Sequence, residues 1–157
     1  MKKILIALDY DPSARKIAEG GHALAKSMNA KAILLHVISD AAYYTSLNYP
    51  EIMGFDSFNN LDIVHPEIIP QLKKAAQEYL NKSKEHLKDE TIETLIRDGD
   101  FANCILDTAK EIKADVIVIG THSRRGLDKI LMGSVAEKVL HHSTVPLFII
   151  PVKNAGN

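Results

Sequence analysis

Residues 115–140 read DVIVIGTHSRRGLDKILMGSVAEKVL. A short apolar run, a long glycine-bearing segment and an amphipathic stretch follow one another without a break. Asp115, Val116, Ile117, Val118 and Ile119 are rich in β-branched side chains, the pattern of a strand covered on both faces in a parallel sheet. A helix is predicted from Ser134, with Ser134 as N-cap, Glu137 as its capping-box partner, and Val135, Ala136, Val139 and Leu140 as one apolar face. The segment from Gly120 to Gly133 is then a strand-to-helix loop, roughly twice the usual two to six residues. It holds Gly120, Gly126, Gly133, His122, Arg124 and Arg125. Glycines let a backbone approach a ligand, and a helix N-terminus supplies unpaired N–H groups and the positive end of a dipole. Arginines add charge in a fork suited to phosphate. The composition fits a cradle for a phosphate-bearing ligand. Gly133 is followed by Ser134 without a lysine, so this is not a Walker A loop, and no G-x-G-x-x-G occurs in the chain.

The same alternation of apolar runs and amphipathic stretches extends toward the N-terminus. Residues 3–8 form a buried strand, stopped by Asp9-Tyr10-Asp11-Pro12. Asp11 can cap a helix that opens on Pro12, with Ala14, Ile17, Ala18, Gly21, Leu24, Ala25 and Met28 on one face. Asn29 ends that helix, and residues 31–37 give a second strand. Residues 39–64 are irregular yet hold Tyr43, Tyr44, Tyr49, Phe55 and Phe58, five of the nine aromatics. Disordered linkers are poor in aromatics, so this insertion is expected to pack on something, as a wall beside the ligand or against a partner chain. Pro66 and Pro70 open a helix with Leu72, Ala75, Ala76, Tyr79, Leu80 and Leu87 buried, its regular part beginning at Pro70. Residues 91–97 form a more polar strand, expected at a sheet edge. Asp98-Gly99-Asp100 turns the chain, and Asp100 caps a helix carrying Ile105, Leu106, Ala109 and Ile112. Residues 144–152 close the chain as a fifth strand. Five strands alternating with four helices specify an α/β fold with a five-stranded parallel sheet and helices on both faces. Ligands of such sheets bind outside the carboxyl ends of the strands, where the strand order reverses.

Gly120, Gly133 and Ser134, with the helix Val135-Ala136-Glu137-Lys138-Val139, resemble the universal stress protein signature G-x2-G-x9-G-[S/T]. The spacing is kept, and Ser123 stands where the pattern has its second glycine. The resemblance covers nearly the whole chain and implies a strand order of 3-2-1-4-5, which sets Asp9 near Gly120. In nucleotide-binding members, the end of the first strand and the backbone at the end of the second hold the adenosine, which points to Leu8, Asp9 and Val37. The loop and the start of the next helix hold the phosphates, which points to Gly120, His122, Ser123, Arg124, Gly133, Ser134 and Val135. The ligand implied is ATP, or AMP or ADP, with or without magnesium, which Asp9 and Asp11 would hold by way of phosphates. No nucleophile and base pair stands out, so slow hydrolysis is the most chemistry expected. The family's order also leaves the fifth strand at an edge, where the apolar Leu147, Phe148, Ile149 and Ile150 imply a homodimer.

Two other readings stay open. A non-nucleotide-binding dimeric interaction module of the same family is compatible with Ser123. A phospho-receiver domain would use Asp9, Asp11 and Asp98 but leaves the 120–133 loop unexplained.

The 157 residues suit a single domain, residues 1–157. A hydrophobic fraction of 46% with 25% charged residues is that of a globular protein. Net charge is −1, which provides no overall field for nucleic acid or anionic membrane. No apolar run approaches a membrane span, and Met1-Lys2-Lys3 leads straight into a strand, so a cytoplasmic location is expected. Cys104 is the only cysteine and reads as a small buried hydrophobe. His141 and His142 are adjacent, which on a helix makes their side chains diverge rather than share a metal.

Overall fold

The computed structural model describes residues 1–38, 68–122 and 133–152. In chain order its elements are β1 (Lys3–Ala7), α1 (Ala14–Ser27), β2 (Lys31–Ile38), α2 (Ile68–Leu87), β3 (Glu93–Asp98), α3 (Phe101–Ile112), β4 (Val116–His122), α4 (Ser134–His142) and β5 (Leu147–Val152). All strand pairs are parallel, in the order β3-β2-β1-β4-β5. The order expected from the resemblance is the one observed, and the polar β3 is at an edge as its composition predicted. The insertion at 39–64 and residues 123–132 lie outside the described residues.

The unbroken apolar runs are explained by helices on both faces. Ile4 and Ile6 of β1 and Leu34 of β2 pack with Ile17, Ala18 and Ala25 of α1 and Leu80 of α2. On the other face, Leu5, Ile33, Leu35, Ile117 and Ile119 pack with Ala102, Ile105 and Ala109 of α3 and Ala136 and Val139 of α4. Side chains alternate across each strand, so a central strand needs an apolar residue at nearly every position. Complete burial of each Leu or Ile contributes about 1.5–3 kcal/mol.

Several boundaries differ from the sequence expectation. Helix α1 begins at Ala14 rather than Pro12, because Asp11 spends its carboxylate on a tight turn, Oδ1 accepting from the Ser13 N–H at 2.9 Å. Helix α2 starts at Ile68, before Pro70. Pro70 fits in the first turn because its missing N–H is one of the four that have no intrahelical acceptor. Asp100 caps α3 as expected, accepting from the Asn103 N–H at 3.0 Å, and Gly99 before it takes φ 134°, open only to glycine. Strand β5 begins at Leu147, not residue 144, since the Ser143 hydroxyl bonds both the N–H and the carbonyl of Val145 in a turn.

The largest difference is in β4, which continues through Gly120 and Thr121 to His122. Gly120 pairs with Ile150 and Thr121 with Pro151. Thr121 is buried, and its Oγ1 accepts from the Val152 N–H at 3.1 Å. Local composition gave no sign of this extension, because β5 supplies the partners. Nor is Ser134 the cap of α4. Gly133 takes that place in extended conformation, so no capping box forms, and Leu140 is 46% exposed rather than part of the apolar face.

Candidate functional site at the strand carboxyl ends

The sheet order reverses between β1 and β4, since β1 leads through α1 to β2 on one side while β4 pairs on the other. A crevice opens at the carboxyl ends of such a pair. Its β1 wall is the exit segment Leu8-Asp9. The Leu8 N–H bonds the Leu35 carbonyl at 2.9 Å. His36 Nδ1 lies 2.8 Å from the Leu8 carbonyl oxygen, and the Tyr79 hydroxyl donates to the Asp9 carbonyl at 2.5 Å. Asp9 Oδ1 accepts from the Asp11 N–H at 3.0 Å. Both carbonyls of the exit are therefore held by side chains, one from β2 and one from α2. Val37, next along β2, is buried at the same level.

His36 and Tyr10, both buried, and the half-buried Tyr79 form a ring cluster beside this exit. Ring centroids are 4.3 Å apart for Tyr10 and His36, 4.9 Å for Tyr10 and Tyr79, and 5.9 Å for His36 and Tyr79. Burial lowers the pKa of His36 and raises those of both phenols. The imidazole is thus neutral, and since Nδ1 faces a carbonyl, Nδ1 carries the proton. Sequence reading placed Tyr79 in a buried helix stripe and Tyr10 in a turn, and gave none of the three a role at the site. One signal was present: a histidine inside the apolar run Leu34-Leu35-His36-Val37.

On the β4 side, Gly120 lies two residues beyond Val118, and Leu8 two beyond Ile6, with Ile6 and Val118 paired in register. Gly120 has a packing reason to be glycine, since an added Cβ would stand 2.3 Å from Ile17 Cδ1 and 3.0 Å from Cγ1. Gly133 has φ −69° and ψ 162°, which any residue adopts. As N-cap it gives α4 no side-chain hydrogen bond, and the first intrahelical bond is Glu137 N–H to the Gly133 carbonyl at 2.9 Å. The amides of Ser134, Val135 and Ala136 accordingly have no intrahelical acceptor. Helix α3 differs, its Asp100 carboxylate occupying the equivalent place. Lys138 Nζ, 3.2 Å from Asp100 Oδ2, holds α4 against the start of α3.

The structure thus brings Leu8, Asp9 and Val37 together at one end of the sheet, with Gly120 and His122 at the end of β4 and Gly133, Ser134 and Val135 at the start of α4. Ser123 and Arg124 lie outside the described residues. Such an arrangement combines a carboxylate held by a backbone N–H with a helix start that has no side-chain cap among the described residues, suited to a ligand with both a hydrogen-bonding and an anionic part. The Cys104 thiol donates to the Asp98 carbonyl at 3.3 Å, and burial pushes its pKa up, so it has the character of a packed residue rather than a thiolate. No helix among the described residues is long and apolar enough to cross a membrane.

Residues 1–151 match the universal stress protein family model. Universal stress protein YxiE of Bacillus subtilis is 31% identical over 150 residues, covering 94% of this chain and 97% of its own. Universal stress protein MJ0531 of Methanocaldococcus jannaschii is 30% identical over 151 residues, covering 95% and 81%. The solved structure of MJ0577, from the same archaeon, superimposes with a TM-score of 0.72 at 25% identity over 98% of both chains. A universal stress protein solved in complex with cAMP has the same fold, with a TM-score of 0.57 at 21% identity over 95% of both chains.

Proposed function

Because this chain belongs to the universal stress protein family, we propose that it is a nucleotide-binding member serving a stress-response or regulatory role in the cytoplasm. It takes an adenine nucleotide, ATP ahead of AMP or ADP, at the carboxyl ends of β1, β2 and β4. Leu8, Asp9 and the backbone at Val37 hold the adenosine. Gly120, His122, Gly133, Ser134 and Val135, with Ser123 and Arg124 of the 123–132 segment, hold the phosphates. A magnesium ion would sit on the phosphates, with Asp9 and Asp11 as the carboxylates on the β1 side.

The observation that carries this reading is the start of α4. A helix with glycine at its N-cap leaves its first-turn amides to another acceptor, and this one begins at the switch point of the sheet. A cAMP complex of the same fold supports a nucleotide as that acceptor. Protein purified without added nucleotide and then denatured should release an adenine nucleotide detectable by mass spectrometry of the supernatant. A supernatant free of nucleotide, from protein that also takes up none, would remove the reading.

A second reading rests on Ser123, which replaces the glycine of the family pattern. On it, the chain is a dimeric interaction module without nucleotide. The two readings share the dimer. The outer edge of β5 is not paired with any described strand, and Phe148, 40% exposed, helps line a groove of about 490 Å³ with Lys16, Glu19, Gly20, Ile150 and Pro151. Two copies meeting along β5 would cover both features.

A further inference from the structure

We propose that His36 and Tyr79 are positioning residues for the nucleotide site: by donating to the carbonyl oxygens of Leu8 and Asp9 they fix the exit of β1, and with it the carboxylate of Asp9, in one orientation. This rests on the nucleotide-binding reading above and extends it to two residues that touch no ligand.

The choice of side chains calls for such a role. His36 is 1% exposed near the carboxyl end of an apolar strand, where leucine would fill the space without a polar group. Its Nε2 is buried with no hydrogen-bond partner among the described residues. An imidazole with one nitrogen unsatisfied is costly to bury, so its return lies in the other nitrogen, 2.8 Å from the Leu8 carbonyl. Tyr79 reaches the next carbonyl from a different element, 70 residues away in the chain. The two bonds hold consecutive peptide units, one on each side of the Asp9 Cα. Their rings also meet Tyr10 in the same cluster, so each donor is itself locked by packing. Asp9 Oδ1 is fixed in turn by the Asp11 N–H. Strand ends are normally the mobile part of a sheet; here the peptide on either side of a ligand-facing carboxylate is pinned.

The test pairs ligand binding with a direct reading of the tautomer. Long-range ¹H–¹⁵N correlation of the histidine rings at pH 7 should show His36 with its proton on Nδ1 and a bare Nε2. A proton on Nε2 would overturn the proposal without any variant. In calorimetric titrations with ATP, Tyr79→Phe should bind about five- to tenfold more weakly than wild type, the loss of one part-buried hydrogen bond of about 1 kcal/mol. His36→Asn, whose amide N–H stands near Nδ1, should bind within about threefold of wild type despite the void it leaves. His36→Gln, whose amide reaches toward Nε2, should fall tenfold or more. A purely structural role would instead make affinity follow melting temperature, with the smaller Asn the weaker binder. If wild type binds ATP and all three variants match it within twofold, the positioning role fails and the nucleotide site stands. If wild type binds no adenine nucleotide, the site reading fails and takes this proposal with it.

Discussion

Gly120 and Gly133 belong to one stretch of sequence and are glycine for different physical reasons. At Gly120 the neighbour is the core itself, since Ile17 occupies the space of a Cβ. Gly120→Ala should therefore destabilise the apoprotein by about 1–3 kcal/mol through overpacking, lowering the melting temperature by roughly 2–4 °C per kcal/mol. A melt unchanged within a degree would show that Ile17 yields without cost. At Gly133 the backbone is extended and open to any residue, so neither strain nor a special φ calls for glycine. Gly133→Val should lose only the roughly 1 kcal/mol that a poor N-cap residue costs, yet bind ATP at least tenfold more weakly, about 1.4 kcal/mol, because its side chain stands over the first-turn amides. Unchanged affinity would place the phosphates elsewhere. A third residue governs acid stability. Asp89 is held down to about 2 by the Thr91 hydroxyl, by His22 and by the Thr91 N–H. Its folded-state pKa lies below the ordinary 3.8, so its contribution is complete above about pH 4 and is lost as pH falls from there through 2. Thermal melts between pH 5 and 2 should show a shallower decline for Asp89→Asn than for wild type; parallel curves would contradict the linkage.

Among the elements, those with strong local signals were legible and those completed by distant partners were not. The apolar run before Gly120 announced β4, but its last three residues are strand only because Ile150, Pro151 and Val152 lie beside them. Ser134 and Glu137 matched a capping box, yet both lie within α4 and its N-cap is Gly133, one residue earlier, a choice no local rule favours over Ser134. Asp100, by contrast, caps α3 as its sequence context indicated, because there the turn, the cap and the glycine all agree. Strand β5 bears on assembly. The Pro146 carbonyl bonds Ile117, so by alternation the backbones of Leu147, Ile149 and Pro151 face the outer edge. Pro151 removes one outward donor, and Leu147 and Ile149 retain theirs. Ile149 is half-packed into the core, whereas Phe148 is exposed, so Phe148→Glu is the cleaner variant. Sedimentation at micromolar concentration should show a dimer for wild type and a monomer for Phe148→Glu. A wild-type monomer would contradict the edge-to-edge pairing.

At the scale of the molecule, the class of fold follows from the alternation of strand and helix patterns, and the order of strands does not. One chain carries no record of which strands are neighbours; the family resemblance supplied the order, and the structure has it. With the order in place, Asp9, Val37 and Gly120 come to one end of the sheet, as the resemblance implied. The supporting cluster of His36, Tyr10 and Tyr79 was not legible, because the three lie on a strand, a turn and a helix that no local pattern connects. Its role appears only when the exit of β1 and the face of α2 are seen together. The central claim is that this sheet end and the glycine-led start of α4 receive an adenine nucleotide. Isothermal titration of ligand-stripped protein with ATP tests it most directly. Saturable binding of one nucleotide per chain, weakened at least tenfold by Gly133→Val, is the predicted result. No heat and no thermal shift with millimolar ATP, ADP or AMP would contradict it.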